Sequence, residues 1–228
     1  MAFSPPFQRP FSATFDRRAA AAVPWWLAGG APAPVAVFQP KGAASLAASY
    51  VNLANPGTYD ATAPVTAPTL NATGWVFASN AWLDTGITLS NPSSGWSAAV
   101  QFANVGGASQ APLLGVQNDA GTRSFGLRPY RTPGVVTYDN GYFLNVSPQL
   151  AAGTLGIAGN QGYRNGTADG GTVSYFSWTP FHTIYIASVK TSSVQVYLAC
   201  SIAAAVIWNT STGHATWMPA VHAAMAAL

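Results

Sequence analysis

The sequence predicts an all-β protein, an antiparallel β-sandwich, from two patterns. Apolar residues alternate with polar or small residues in residues 96–102, 184–187 and 194–198, which is the two-residue period of a half-buried strand. Turn-forming pairs such as Asn91-Pro92 and Asn165-Gly166 separate the alternating segments. About a dozen candidate strands at intervals of roughly ten residues are typical of a sandwich.

Only the C-terminal end has helical spacing. Met218, Val221, Met225 and Leu228 recur every three or four residues, which predicts a short amphipathic helix at about 215–227. The length of 228 residues suits one domain. We therefore predict an extended arm over residues 1–40, followed by a sandwich with its C-terminal helix over residues 41–228.

The predicted arm has a phenylalanine every four residues, at Phe3, Phe7, Phe11 and Phe15, with prolines between them. Such a segment favours extended backbone and cannot build a core of its own. It either folds back on its own domain or lies across a neighbouring subunit, with Trp25 and Trp26 at the junction with the sandwich. The residues predicted to bind a partner are Phe3, Phe7, Arg9, Phe11, Phe15, Arg17, Arg18, Trp25 and Trp26.

The charged residues are few, at 7% of the chain against about 25% in an average soluble domain. All six acidic residues are Asp, which excludes the Glu-based catalytic pairs of most glycosidases and the His-Glu-x-x-His metal sites. We expect no enzymatic activity. Seven of the nine basic residues are scattered arginines, so we expect no nucleic-acid partner. Prolines and glycines interrupt the apolar stretch at residues 19–38, so we expect neither a signal peptide nor a membrane partner.

The residues that bind metals or act as nucleophiles show no catalytic pattern. Cys200 is the single cysteine and lies in an apolar run, so we expect it to be buried. His182, His214 and His222 lack zinc-ligand spacing, and we expect no cofactor. Asp119 and Asp139 are calcium candidates because loop carboxylates bind Ca²⁺, although the same residues also fit ordinary turn chemistry.

Several ordered segments resemble the concanavalin A-like lectin and glucanase superfamily, which includes laminin-G-like domains. They are Gly-Trp-Val-Phe at 74–77, a Leu-Asp-Thr step at 83–85, a long strand at 94–102, Tyr-Arg-Asn-Gly at 163–166 and Val-Ile-Trp-Asn at 206–209. The resemblance implies a jelly-roll sandwich. Glucanases of this superfamily carry Glu-x-Asp-x-x-Glu on an inner strand, and this chain has no Glu.

Two further segments, Trp-Trp-Leu-Ala-Gly-Gly at 25–30 and residues 39–50, resemble those of lectin-like structural proteins of tailed bacteriophages. This resemblance implies a non-enzymatic virion protein, either a capsid decoration (cement) protein or a tail accessory protein. Its partners would be the major capsid or tail protein and copies of itself. It would lie on the virion surface after assembly in the host cytoplasm, attached through the arm.

The alternative is a lectin-like module of a fibre or adhesin that recognises host surface glycans. Exposed aromatic faces bind sugars, and the candidates beside turn signals are Tyr130, Tyr138, Tyr142 and Tyr163.

The arginines of residues 123–131 have two interpretations. In a chain this poor in charge, each arginine can be a specific contact with a partner. Alternatively, Arg123, Arg128 and Arg131 pair with Asp119 and Asp139 within one loop region.

Overall fold

The structure is a computed structural model, and it describes residues 23–78, 80–90, 95–106, 110–131, 134–174, 178, 180, 182–192 and 195–228. The predicted partner-binding residues Phe3, Phe7, Arg9, Phe11, Phe15, Arg17 and Arg18 lie outside the described residues.

The described residues form mainly strands, with three short helical segments. In chain order they are a 3-10 helix (Trp25–Gly30), β1 (Ala36–Phe38), α1 (Leu46–Ser49), β2 (Thr69–Asn71), β3 (Gly74–Phe77), β4 (Leu83–Asp84), β5 (Ser97–Gly106), β6 (Leu114–Gln117), β7 (Ser124–Arg131), β8 (Val135–Asn140), β9 (Tyr142–Val146), β10 (Gly153–Ala158), β11 (Gln161–Arg164), β12 (Thr167–Thr172), β13 (Tyr185–Ile186), β14 (Ser188–Lys190), β15 (Gln195–Tyr197), β16 (Ala199–Trp208) and α2 (His214–Ala226). Neither α-helix is long and apolar enough to span a membrane.

Two antiparallel sheets make the sandwich, which confirms the predicted fold class. The larger sheet has the order β12-β11-β10-β5-β16-β3-β2, with β1 also paired to β16. The smaller sheet has the order β4-β13-β6-β7-β8-β9, and β14 and β15 form a separate ribbon. The long strand β16 is central because β5 pairs with one edge, while β3 and β1 pair with successive parts of the other.

The core between the sheets is built from the inward-facing residues of both. Trp75, Phe77 and Phe102 of the larger sheet are buried there with Phe125 and Leu127 of the smaller sheet. The apolar residues of the alternating pattern thus face the buried interior between the two sheets.

A second apolar layer covers the outer face of the larger sheet. Trp217, Met218 and Val221 of α2 pack there with Trp25, and the rings of Trp208 and Trp217 have centroids 4.8 Å apart. The helix predicted at about 215–227 is confirmed, since its three- and four-residue apolar spacing makes one face that the sheet buries.

The predicted boundary between arm and sandwich at residue 40 needs correction, because residues 25–40 belong to the folded domain. Ala36–Phe38 are paired with β16, and Trp25 is buried with its indole N–H donating to Gln39 Oε1 at 2.8 Å. Trp26 packs partly buried beside it. The sequence predicts extended backbone for this segment, as found in β1. The strand that pairs with β1 lies about 170 residues later in the chain, and local composition does not reveal such a distant pairing.

Candidate ligand-binding face on the smaller sheet

The outer face of the smaller sheet carries a polar pocket of about 150 Å³. Strands β7 and β8 turn Phe125, Leu127 and Tyr138 into the core, so their intervening residues face outward. We call this site the arginine pocket. Its defining residues are Gln110, Gln117, Arg128, Arg131, Asp139 and Phe143.

A buried ion pair forms part of the pocket lining. Arg128 Nε lies 2.7 Å from Asp139 Oδ2, and the two side chains are 7% and 0% exposed. Arg128 Nη1 also donates to the backbone carbonyl of Gln110. Asp139 Oδ1 is buried and has no hydrogen-bond partner among the described residues. Because an unpaired buried acceptor costs free energy, this oxygen lacks a donor, which the described residues do not supply.

A β-bulge brings Arg131 to the same pocket as Arg128. Residues three apart on a regular strand face opposite sides, but the register of β7 against β8 shifts between Arg128 and Arg131. Pro129 lies in this interval, and proline within a sheet is tolerated at bulges because it lacks the N–H of a regular ladder. The bulge thus places both guanidinium groups at one site.

Two exposed aromatic rings adjoin the pocket. Tyr142 and Phe143 are 44% and 38% exposed, and their rings stack with centroids 5.0 Å apart and an interplanar angle of 8°. The guanidinium of Arg131 lies 4.0 Å from the Phe143 ring centroid, and that of Arg123 lies 5.4 Å from the Tyr142 centroid. These cation–π contacts hold flat surfaces beside the polar pocket.

Of the four predicted glycan-binding tyrosines, the structure places only Tyr142 at this face. Tyr130 is half-buried and lines a different pocket with Leu150.

Tyr138 and Tyr163 are buried, which corrects their prediction as surface residues. The Tyr138 hydroxyl donates across the core to Asp169 Oδ2 at 2.7 Å, and burial, together with this carboxylate, raises the pKa of Tyr138. The Tyr163 hydroxyl is hydrogen-bonded to His214 Nδ1 at 2.6 Å under α2, and burial raises the pKa of Tyr163. The turn residues in the sequence indicate where the strands end. They do not indicate whether a neighbouring side chain points to the core or to the solvent.

The two calcium candidates have other roles in the structure. Asp139 is the partner of Arg128, as one interpretation of the sequence predicted, but the two residues lie on the paired strands β7 and β8 and not in a loop. Asp119 lies in a turn whose neighbour Asn118 accepts the backbone N–H groups of Thr122 and Arg123, which is ordinary turn chemistry. Within the described ranges, no three or more His, Cys or Asp side chains cluster as a metal site.

A second polar cluster lies beneath α2. His222 is buried, with Nδ1 2.6 Å from Thr154 Oγ1 and accepting the Gly166 N–H at 3.1 Å. An Nδ1 that accepts a backbone N–H is unprotonated, and burial lowers the pKa of His222 to about 4. The neutral imidazole therefore joins α2 to the β11–β12 turn.

Sequence reasoning missed Phe143, Gln110 and Gln117 as residues of the face. Phe143 follows Tyr142 directly after an Asp-Asn-Gly turn, so the aromatic pair was the available signal. Gln110 contributes its backbone carbonyl, and such contacts leave no mark in the sequence.

The fold is found in proteins of very different sequence. No family model and no curated protein matches the chain. Domain 4 of AbnA, a GH43 extracellular arabinanase from Geobacillus stearothermophilus solved in complex with arabinotriose, is 10% identical over 84% of this chain and 98% of that domain, with a TM-score of 0.59.

A second similar structure is Trypanosoma rangeli sialidase in complex with 2,3-difluorosialic acid. It is 13% identical over 87% of this chain with a TM-score of 0.56, and the match covers 34% of the sialidase chain. This chain thus spans about a third of the length of that sialidase. At such low identities the likeness concerns the fold alone, and we conclude that the chain is an antiparallel β-sandwich similar to these domains.

Proposed function

We propose that this chain is a carbohydrate-binding protein that holds a saccharide at the arginine pocket. The observation that carries the proposal is the buried, unpartnered Asp139 Oδ1 beside the exposed Tyr142–Phe143 stack. Small-molecule sites combine apolar or aromatic surface with a few fixed polar groups. Sugars present both apolar C–H faces and hydroxyl groups, so they match this combination.

The pocket supplies both kinds of hydrogen-bonding group that a hydroxyl needs. Asp139 Oδ1 is a free acceptor among the described residues. Arginine carries five N–H donors, and the recorded bonds of Arg128 use its Nε and Nη1. The remaining donors of Arg128 and the amide of Gln117, also in the pocket lining, are available to hydroxyl oxygens.

The fold comparison supports the proposal in one respect. The AbnA domain was solved in complex with arabinotriose, so a sandwich of similar shape holds an oligosaccharide. The identity of the sugar and its place on this chain rest on the pocket described above.

The test is a binding screen of the full chain on a glycan array, followed by calorimetry with the best ligand. Replacing both exposed rings, Tyr142→Ser with Phe143→Ser, should weaken binding at least tenfold, or about 1.4 kcal/mol, because flat contact surface is lost. Tyr59→Ser is a matched control, since Tyr59 is also 44% exposed and lies in the loop between α1 and β2. Unchanged binding by the double variant would refute this location, and no binding by the full chain to any glycan would refute the function.

A structural role in a virion is a second proposal, and the two roles are compatible on one chain. Its support is the sequence itself: the phenylalanines of residues 1–22 and a chain with only 7% charged residues. Light scattering should compare the full chain with one lacking residues 1–22, which keeps Trp25 and β1. We expect the full chain to self-associate or to bind virus particles from which this protein is missing. We expect the shortened chain to be a folded monomer. Two monomers that bind no particle would contradict the role.

A further inference from the structure

We infer that the saccharide bound at the arginine pocket is acidic, a sugar whose ring carboxylate is held by Arg131 beside Arg128. The inference rests on the proposed carbohydrate-binding function and adds the chemical class of its ligand. It depends on the positions of the charged side chains around the pocket and on the position of the Arg131 guanidinium over the Phe143 ring.

Three of the six basic residues that the structure describes lie at this face of a charge-poor protein. Arg128 and Arg131 line the pocket with Asp139 as the acidic side chain, and Arg123 lies over the adjoining Tyr142 ring. The chain has fifteen charged residues in all. An anion entering the pocket therefore meets a local excess of positive charge, because two arginines and one aspartate line it.

Within the part of the chain that the structure describes, Arg131 has no carboxylate as an ion-pair partner. Elsewhere in the described chain, Arg128 is ion-paired with Asp139 and Arg164 with Asp169 at 2.8 Å. The guanidinium of Arg131 lies over the Phe143 ring, 4.0 Å from its centroid. Arg131 forms no ion pair with any described residue. A charge held in place without a carboxylate partner is suited to a ligand carboxylate.

The position of Arg131 suits this role. Its guanidinium carbon lies 4.0 Å from the centroid of the Phe143 ring, and a guanidinium that stacks on an aromatic face leaves its in-plane N–H groups available for two parallel hydrogen bonds to a carboxylate. The nearby Asp139 Oδ1 accepts hydrogen bonds and repels carboxylates, so it would contact a ring hydroxyl of the same sugar. The pocket thus distinguishes the two ends of an acidic sugar, which fixes its orientation.

The experiment compares acidic sugars with neutral counterparts on the full chain. Calorimetry would use a trisaccharide of galacturonic acid against its methyl ester, and sialyllactose against lactose, so that two sources of ring carboxylate are separated. We expect at least one acid to bind roughly tenfold to a hundredfold tighter than its neutral counterpart, because hydrogen bonds to charged groups are the stronger ones. The preference should shrink as salt is raised.

Two variants identify the residue responsible. Arg131→Gln should reduce the preference for the acid to about threefold or less, with unchanged thermal unfolding. Lys41→Gln removes the same charge at the larger sheet, where the Lys41 N–H bonds to Ala203 O, and should keep the preference. Equal binding of acid and neutral sugar, or a preference that survives Arg131→Gln, would overturn the inference and leave the proposed function standing. Failure of every sugar to bind would refute the proposed function as well.

Discussion

Acid should destabilise this protein through His222. The folded state holds the imidazole neutral because Nδ1 accepts the Gly166 N–H at 3.1 Å, and burial lowers its pKa to about 4. In the unfolded chain the pKa returns to about 6.5. Below pH 6.5 the unfolded state therefore binds a proton that the folded state does not, and the free energy of unfolding falls until about pH 4.

The size of this effect follows from the two pKa values. A difference of about 2.5 pH units, at 1.36 kcal/mol per unit, gives a loss of about 3 kcal/mol between pH 7 and pH 4. Other groups also titrate in this range, including His214, whose pKa burial lowers. A variant without the His222 proton is needed to isolate the contribution of this residue.

Urea unfolding at pH 7, 5.5 and 4 should compare the wild type with His222→Asn, which keeps a hydrogen-bond acceptor but cannot titrate. We expect the variant to be less stable at pH 7 and to lose about 3 kcal/mol less than the wild type on going to pH 4. A difference in pH dependence below about 1 kcal/mol would refute the reasoning. An NMR titration of the His222 ring in the wild type supplies a second measurement, and an ordinary value near 6.5 would also refute it.

Three further outcomes test the packing. Arg128→Met should cost about 3–5 kcal/mol in urea unfolding because it leaves the Asp139 carboxylate buried without its partner, and a cost below about 1 kcal/mol would show that the ion pair is not desolvated. Gly162→Ala should cost about 1–3 kcal/mol, since its Cβ would lie 2.5 Å from the ring of the buried tyrosine of β8. Gly171→Ala, with nothing within 4 Å of its Cβ, is the control and should be neutral. Cys200 is buried and its pKa is raised by burial, so its thiol should react with a thiol reagent at pH 8 only after unfolding, and rapid labelling of the native protein would contradict this.

The strands and the helix could be predicted because each carries its period in consecutive residues. Met218, Val221 and Met225 lie on the buried face of α2 as their spacing required, and Trp75 and Phe102 lie in the core. The boundary at residue 40 failed for a different reason. The partner of β1 is β16, and a pairing across most of the chain leaves no local signal.

The candidate site could be predicted only in its parts. Tyr142 and the pairing of Arg128 with Asp139 were among the alternatives that the sequence left open. Tyr138 and Tyr163 are only candidates for exposure in the sequence, and both are buried in the structure, because nearby turns do not tell which face of a strand a side chain occupies. The meeting of Arg131 with Arg128 depends on a bulge, whose register is set by the neighbouring strand.

Periodicity and composition establish the class of structure and exclude catalysis by glutamate, because they can be read within a few residues or over the whole chain. Which side chains meet depends on the three-dimensional fold: Arg128 with Asp139, Arg131 with Phe143, and Tyr138 with Asp169. Such contacts depend on strand order, register and the face that each residue occupies. A shift of one residue in register would send all these side chains to the opposite face.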